Sequence, residues 1–404
     1  MKETVNFAWP VTSSNREDYD AFCRWMEEHQ GILDKNRIAI WGAGIRGTEF
    51  SLFFQKRNFQ NLFFVDSNAQ KWGGKINEFP IVSPEELAQG MTQGNIRILV
   101  SAEDSREIEK QLKQQGYQKD QDFYTIQSGL YDKYIQEFQR HYGLGKRILF
   151  QGDCEFSKIS IRDKNMENLA EMLRKKSGTA QIKVLAMHGM GLRSHYHVCK
   201  AQISEGMRPD VLMLMVNLDT LTGKQHLLPR SQHAGLLREL YQSIDHKNAE
   251  FEEYLLITEE RSSNHQAEFF TRKSSGTGRE DVKARNYFRL NYMYDLDIHT
   301  EGMIYLEKIL ELAKDETIKT VVFVPPVNYL LARKLLGERF MEQYVNNINK
   351  IRSVAERYNH RFLDLSFCLE PEMFAMPKTA DETANEQGRE KLAHLLYQAA
   401  WEEL

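Results

Sequence analysis

A chain of 404 residues, at roughly 100–200 residues per domain, has room for two domains with apolar cores of their own. Its 41% hydrophobic, 11% aromatic and 27% charged residues are those of an ordinary globular protein, which excludes collagen-like, coiled-coil and low-complexity chains. The 53 basic and 57 acidic residues sum to −4, so no global charge draws the chain to nucleic acid or to an anionic membrane. Four scattered cysteines, Cys23, Cys154, Cys199 and Cys368, make neither a disulfide framework nor a zinc pattern, which fits a reducing compartment. The N-terminal stretch MKETVNFAWPVTSSNREDYD lacks the basic-then-apolar order of a secretory leader, and no apolar run reaches the ~18 residues that cross a bilayer. The expectation is a cytoplasmic protein without a membrane span.

In chain order, short β-branched or aromatic runs alternate with amphipathic stretches, the rhythm of βα units built on a parallel sheet. The first set of strands falls at Arg37–Trp41, Asn61–Val65, Arg97–Ser101 and Phe123–Ile126. Ser83-Pro84-Glu85-Glu86 announces a helix start, with an N-cap serine, a proline in the first turn and a capping-box glutamate. After the first strand comes Gly42-Ala43-Gly44-Ile45-Arg46-Gly47, a G-x-G-x-x-G at a strand-to-helix turn, and Asp66 closes the next strand. Such glycines let backbone N–H groups approach a pyrophosphate, and such an acid can hold a ribose hydroxyl; equally, the glycines can serve only to pack helix on strand. A helical stretch near Leu130–Tyr142, ended by Gly143 and Gly145, divides the chain into a domain at 1–128, a linker at 129–145 and a domain at 146–404.

The second set of strands falls at Arg147–Phe150, Ile182–Leu185, Val211–Val216, Thr320–Val324 and Arg361–Leu365, with helices at Glu301–Ala313, Glu338–Tyr358 and Glu386–Trp401. The outline is a second doubly wound parallel sheet, so the fold class is α/β throughout. A long polar segment at 222–295 is too long for a plain loop and is expected to form a cap or insertion. The strand RILF leads into Gln151-Gly152-Asp153-Cys154, and at such a turn a helix N-terminus would favour a Cys154 thiolate. A buried, inert cysteine is the other reading of the same residue. His188, His195 and His197 cluster without the spacing of a zinc helix, so no metal is expected. Arg272, Lys273 and Arg279 can clamp an anion or simply be solvated.

Two resemblances follow from these motifs. The run WGAGIRGTEF with VDSNAQKWGGKINEFPIVSPEEL resembles the small Rossmann-like domain attached to many bacterial glycan and sugar-nucleotide enzymes. That resemblance implies that Gly42, Gly44, Gly47 and Asp66 face a nucleotide or NAD. The order GDC, MHGMG, PDVLMLMVNLD, VVFVPPVN and DLS with ADETANEQGREKLAHLL resembles the SGNH (GDSL-type) hydrolases and acyltransferases, most of all the branch acting on cell-surface polymers.

By that resemblance Cys154 takes the place of the family's serine nucleophile. Backbone N–H groups at Cys154 and Gly189 or Gly191 would enter an oxyanion hole together with Asn217, although strict spacing puts Asp219 at that place. Asp381 is the remnant of the acid–base pair. The family's histidine is missing, because Glu382, Thr383 and Ala384 fill its stretch. Two functions follow. One is an acyl-ester hydrolase or O-acyltransferase acting on a cell-surface or capsular glycan or its precursor, with no cofactor needed in this domain. The other is a catalytically inactive glycan- or partner-binding protein, its partners other polysaccharide-biosynthesis enzymes, with a nucleotide-sensing first domain.

Overall fold

The computed structural model describes residues 13–91, 95–101, 105–187, 190–221, 227–256, 280–380 and 382–404. The chain divides into two compact units, Met1–Leu130 and Tyr131–Leu404.

In the first unit the strands of the main sheet are β1 (Arg37–Trp41), β2 (Leu62–Val65), β3 (Lys75–Ile76), β4 (Phe79–Val82), β5 (Ile96–Val100) and β6 (Phe123–Thr125). They form one sheet in the order β3-β4-β2-β1-β5-β6, parallel except for the short β3. Continuous apolar runs such as IAIW and LFFV are what a parallel sheet covered on both faces demands. One face packs Phe22 and Trp25 of α1 (Arg16–Glu28) and Phe50, Phe53 and Phe54 of α2 (Ile45–Lys56), with Phe22 and Phe54 edge to face at 4.7 Å. The other buries Trp41, Phe63 and Phe123 against Leu87 of α3 (Pro84–Met91) and Leu112 of α4 (Arg106–Gln114). The capping box forms: Glu86 N donates to Ser83 Oγ at 3.1 Å and Ser83 N to Glu86 Oε2 at 3.3 Å. The β3–β4 hairpin is not among the expected strands. Its two-residue turn is Asn77-Glu78, both at positive φ, so it lacks the glycine that usually announces such a turn.

In the second unit β7 (Arg147–Gly152), β8 (Gln181–Ala186), β9 (Val211–Met215), β10 (Lys319–Val324) and β11 (Arg361–Asp364) form an all-parallel sheet in the order β8-β7-β9-β10-β11. The doubly wound α/β fold read from the sequence is therefore present in both units. Helix α5 (Leu130–Gln139) packs as part of this unit and buries Tyr134, Ile135 and Phe138. Ile148, Phe150, Met213, Val321 and Phe323 meet α6 (Leu169–Lys176) and the last helix, α13 (Glu386–Glu402), on one face. Gln151, pointing the other way, donates to the His195 carbonyl of α7 (Leu192–Ser204).

Between β9 and β10 the polar segment contains α8 (Leu227–Ser243), a helical run at 249–256 and α9 (Glu280–Tyr292). These bury Leu236, Leu237, Leu240, Phe251, Tyr254, Phe288 and Tyr292, more apolar surface than the polar composition suggests. Arg272, Lys273 and Arg279 lie outside the described residues. The chain returns to the sheet through α10 (Glu301–Asp315), α11 (Tyr329–Leu336) and α12 (Glu338–Arg357).

Candidate functional site

In a doubly wound sheet the loops at the carboxyl ends part where neighbouring strands send their crossovers to opposite faces, and a crevice opens there. In the second unit that point lies between β7 and β9. Gly152 ends β7 at a crowded place: a Cβ would stand 2.5 Å from Phe156 Cε2 and 3.0 Å from the Met215 side chain. The chain then turns through Asp153, which caps the short turn Cys154–Phe156 by accepting from Glu155 N at 3.0 Å.

Asp153, Asn217 and Glu382 meet here, each nearly closed to solvent. Asn217 Nδ2 donates to Asp153 Oδ2 at 3.1 Å and to Glu382 Oε2 at 3.1 Å. An amide nitrogen carries two hydrogens, so both are engaged and neither is left for an oxyanion. The other side of the amide, Asn217 Oδ1, accepts from Asp219 N at 3.3 Å. Sequence reasoning named Asn217 at this strand end as an oxyanion donor and missed Asp153 and Glu382 as its partners.

The electrostatics follow from that packing. Burial beside Asp219, Glu155 and Asp153 pushes the Glu382 carboxyl well above the usual carboxylate range, against the pull of Asn217. Burial and Asp153 push Asp219 up to about 7. Cys154 is only 8% exposed, and its thiol is raised well above its ordinary range by burial and then by Asp153, Glu155 and Asp219, with Lys158 acting in the opposite sense. Behind Cys154 stands a three-residue turn, too short to supply the helix field that the thiolate expectation needs.

Asp381 lies outside the described residues, as do His188 and Gly189. Gly191 begins α7 as its N-cap. Ala384, in the stretch where a histidine would stand, is buried in the apolar cluster with Leu365, Leu369 and Phe374. His195 and His197 are buried, and desolvation pushes each ring down to about 3, which leaves them poor substitutes for a base. His197 lies between the rings of Phe251 and Tyr254, at 4.9 Å from each. Among the described residues no group of three or more His, Cys, Asp or Glu is arranged to hold a metal ion.

In the first unit the glycine loop closes on itself. Asp66 Oδ2 accepts from Ala43 N at 2.9 Å and from Lys71 Nζ at 2.8 Å, while Oδ1 accepts from Asn68 N at 2.8 Å. Lys71 also donates to the Ala43 carbonyl at 2.9 Å. A Cβ on Gly47 would lie 2.0 Å from the Gly42 carbonyl oxygen, so helix-to-strand packing requires a glycine there. Gly44 starts α2 as its N-cap, and Gly42 turns the chain at φ 115°.

Residues 34–122 match the family model described as C2185-like, N-terminal. No curated protein matches the chain. Among solved structures the chain is similar to a GDSL-like lipase from Bacteroides thetaiotaomicron, at 12% identity over 68% of this chain and 98% of that one, with a TM-score of 0.35. It is similar to an acetylxylan esterase from Geobacillus stearothermophilus at 13% identity over 64% and 95%, TM-score 0.32. It is also similar to an alpha/beta hydrolase enzyme from the metagenome of Lake Arreo, Spain, at 10% identity over 64% and 96%, TM-score 0.32. Likeness this loose decides nothing about the site. Among the described residues no helix is long and apolar enough to cross a membrane.

Proposed function

We propose that the second unit binds a hydroxyl-rich ligand, a glycan or a glycan precursor, at the ends of β7 and β9, and does not hydrolyse esters through Cys154. One observation carries this reading: both amide hydrogens of Asn217 are held by carboxyl groups, where ester hydrolysis needs donors aimed at a developing negative charge. Carboxyl groups suit neutral hydroxyls, which donate to an ionised carboxylate oxygen and accept from a protonated one. Cys154 fits the binding reading as a packed thiol that, among the described residues, has acidic neighbours and Lys158 beside it and no histidine base. In the first unit Asp66 is occupied by its own loop, which favours the packing role of Gly42, Gly44 and Gly47 over the nucleotide or NAD role.

The test is the pH dependence of Cys154 alkylation by iodoacetamide, read by peptide mass spectrometry beside Cys23, Cys199 and Cys368, together with turnover of p-nitrophenyl acetate. The expected result is slow Cys154 labelling with a midpoint above the unperturbed ~8.5, and turnover unchanged by Cys154→Ala. A midpoint well below ~8.5, with turnover lost in the variant, would return the site to the acyl-ester hydrolase or O-acyltransferase reading.

A further inference from the structure

Asp153, Glu155, Asp219 and Glu382 bring four acidic groups to the side chains of Asn217 and Cys154. Like charges out of water repel strongly, so Glu382 and Asp219 hold their protons to higher pH than free carboxyls do. Among the described residues Lys158 opposes this charge, with Nζ 3.7 Å from Glu155 Oε1, while the neutral Tyr294 hydroxyl donates to the Leu218 carbonyl at 2.7 Å. A second observation is independent of the charge. Glu382 is 9% exposed, its Oε2 is bonded to Asn217, and its Oε1 is buried with no hydrogen-bond partner. Buried polar oxygens are almost always satisfied, so an unpaired one inside a polar cluster marks a place for a ligand group, and Oε1 becomes an open acceptor once the Glu382 proton leaves.

We propose that this site receives a primary ammonium group, of the kind an amino sugar without its N-acetyl group presents, and that Glu382 is the residue that accepts it. The inference rests on the glycan-binding reading and narrows it. An ammonium brings three N–H donors to the open Oε1 and its neighbours. It also brings the positive charge that lets the crowded carboxyls ionise, so binding expels a proton from the site. A neutral hydroxyl satisfies Oε1 and leaves the carboxyl crowding as it was. A phosphate or carboxylate brings charge of the wrong sign.

The experiment is calorimetric titration of the full chain with chitosan tetrasaccharide and with its fully N-acetylated counterpart, at pH 5.5, where the sugar amine already carries its proton before binding. Salt of 0.3 M screens the protein surface, and two buffers of different ionisation enthalpy are used. The expected result is at least tenfold tighter binding of the free-amine sugar, with net proton release seen as a buffer-dependent heat. In Glu382→Gln both the preference and the proton release disappear, while circular dichroism stays that of the parent. Should that variant fail to fold, Asp219→Asn carries the same test, with reduced proton release and reduced preference. Equal binding of both sugars without proton exchange overturns the ammonium inference and leaves the glycan reading standing. Binding of neither sugar overturns the inference and counts against the glycan reading as well.

Discussion

The buried guanidinium of Arg389 supports the sharpest test of how the site is held. Its side chain is 1% exposed, and Nη1 donates to Asp163 Oδ2 at 2.8 Å and to the Ala384 carbonyl at 2.9 Å. Nε reaches the Glu167 carbonyl and Nη2 the Asn165 carbonyl, each at 2.9 Å. One residue of α13 thus pins the 163–167 loop and the end of the segment carrying Glu382. Arg389→Ala leaves a buried carboxylate without its partner, at a cost of about 3–5 kcal/mol, and three carbonyls lose their donors. Taking about 4 kcal/mol and one decade per 1.4 kcal/mol, the open population of the second unit rises roughly a thousandfold.

Cys199, buried in α7, reports that opening. Its alkylation in mild urea, with reclosing faster than labelling, tracks the open fraction, while Cys23 reports on the first unit. Expected is an increase of two to three decades at Cys199 with Cys23 unchanged. Asp163→Asn added to Arg389→Ala recovers part of the loss, because the unpaired charge is gone. An increase below tenfold in the single variant would refute the reasoning, for the guanidinium would then be replaceable by water.

Two further outcomes are expected. Asp219 has its carboxyl pushed up to about 7, so its contribution to stability is full below its unfolded value near 4 and is lost as the pH rises through 7. Asp219→Asn should therefore shrink the stability difference between pH 5 and pH 8 by roughly 2 kcal/mol in urea titrations; an unchanged difference would show that the acid is not coupled to its neighbours. In the first unit, NAD at a hundred times a dissociation constant would add about 2.7 kcal/mol, but with Asp66 occupied no shift is expected at 1 mM in melting followed by the fluorescence of buried Trp25 and Trp41. A rise of several degrees would establish a nucleotide site there.

The strands were legible because buried parallel strands must be apolar throughout: VLMLM, KTVVFV and RILFQG stand out against polar surroundings, and their ends fall within two residues of expectation. The β3–β4 hairpin was not, since two residues are too few to show a period. In the insertion, α8 and α9 hide their apolar positions among many charges. At the site, Asn217 was legible from its place after β9, and Asp153 was visible in GDC without its role being read. Glu382 was counted as filler where a histidine was sought. Burial decides which of 57 acidic residues carries a perturbed carboxyl, and burial here depends on a segment that follows the last strand.

The two carboxyl partners of Asn217 stand 64 and 165 residues away from it in the chain, one before and one after. Synthesis at about 5–20 residues per second means that Glu382 arrives roughly 10–30 s after Asn217 has been made. Throughout that interval Asp153 and Asn217 lack their third member, and water is free to enter the cleft. The site is therefore a late product of biogenesis, and a ligand or partner can recognise it only once residue 382 has emerged and been pinned by Arg389.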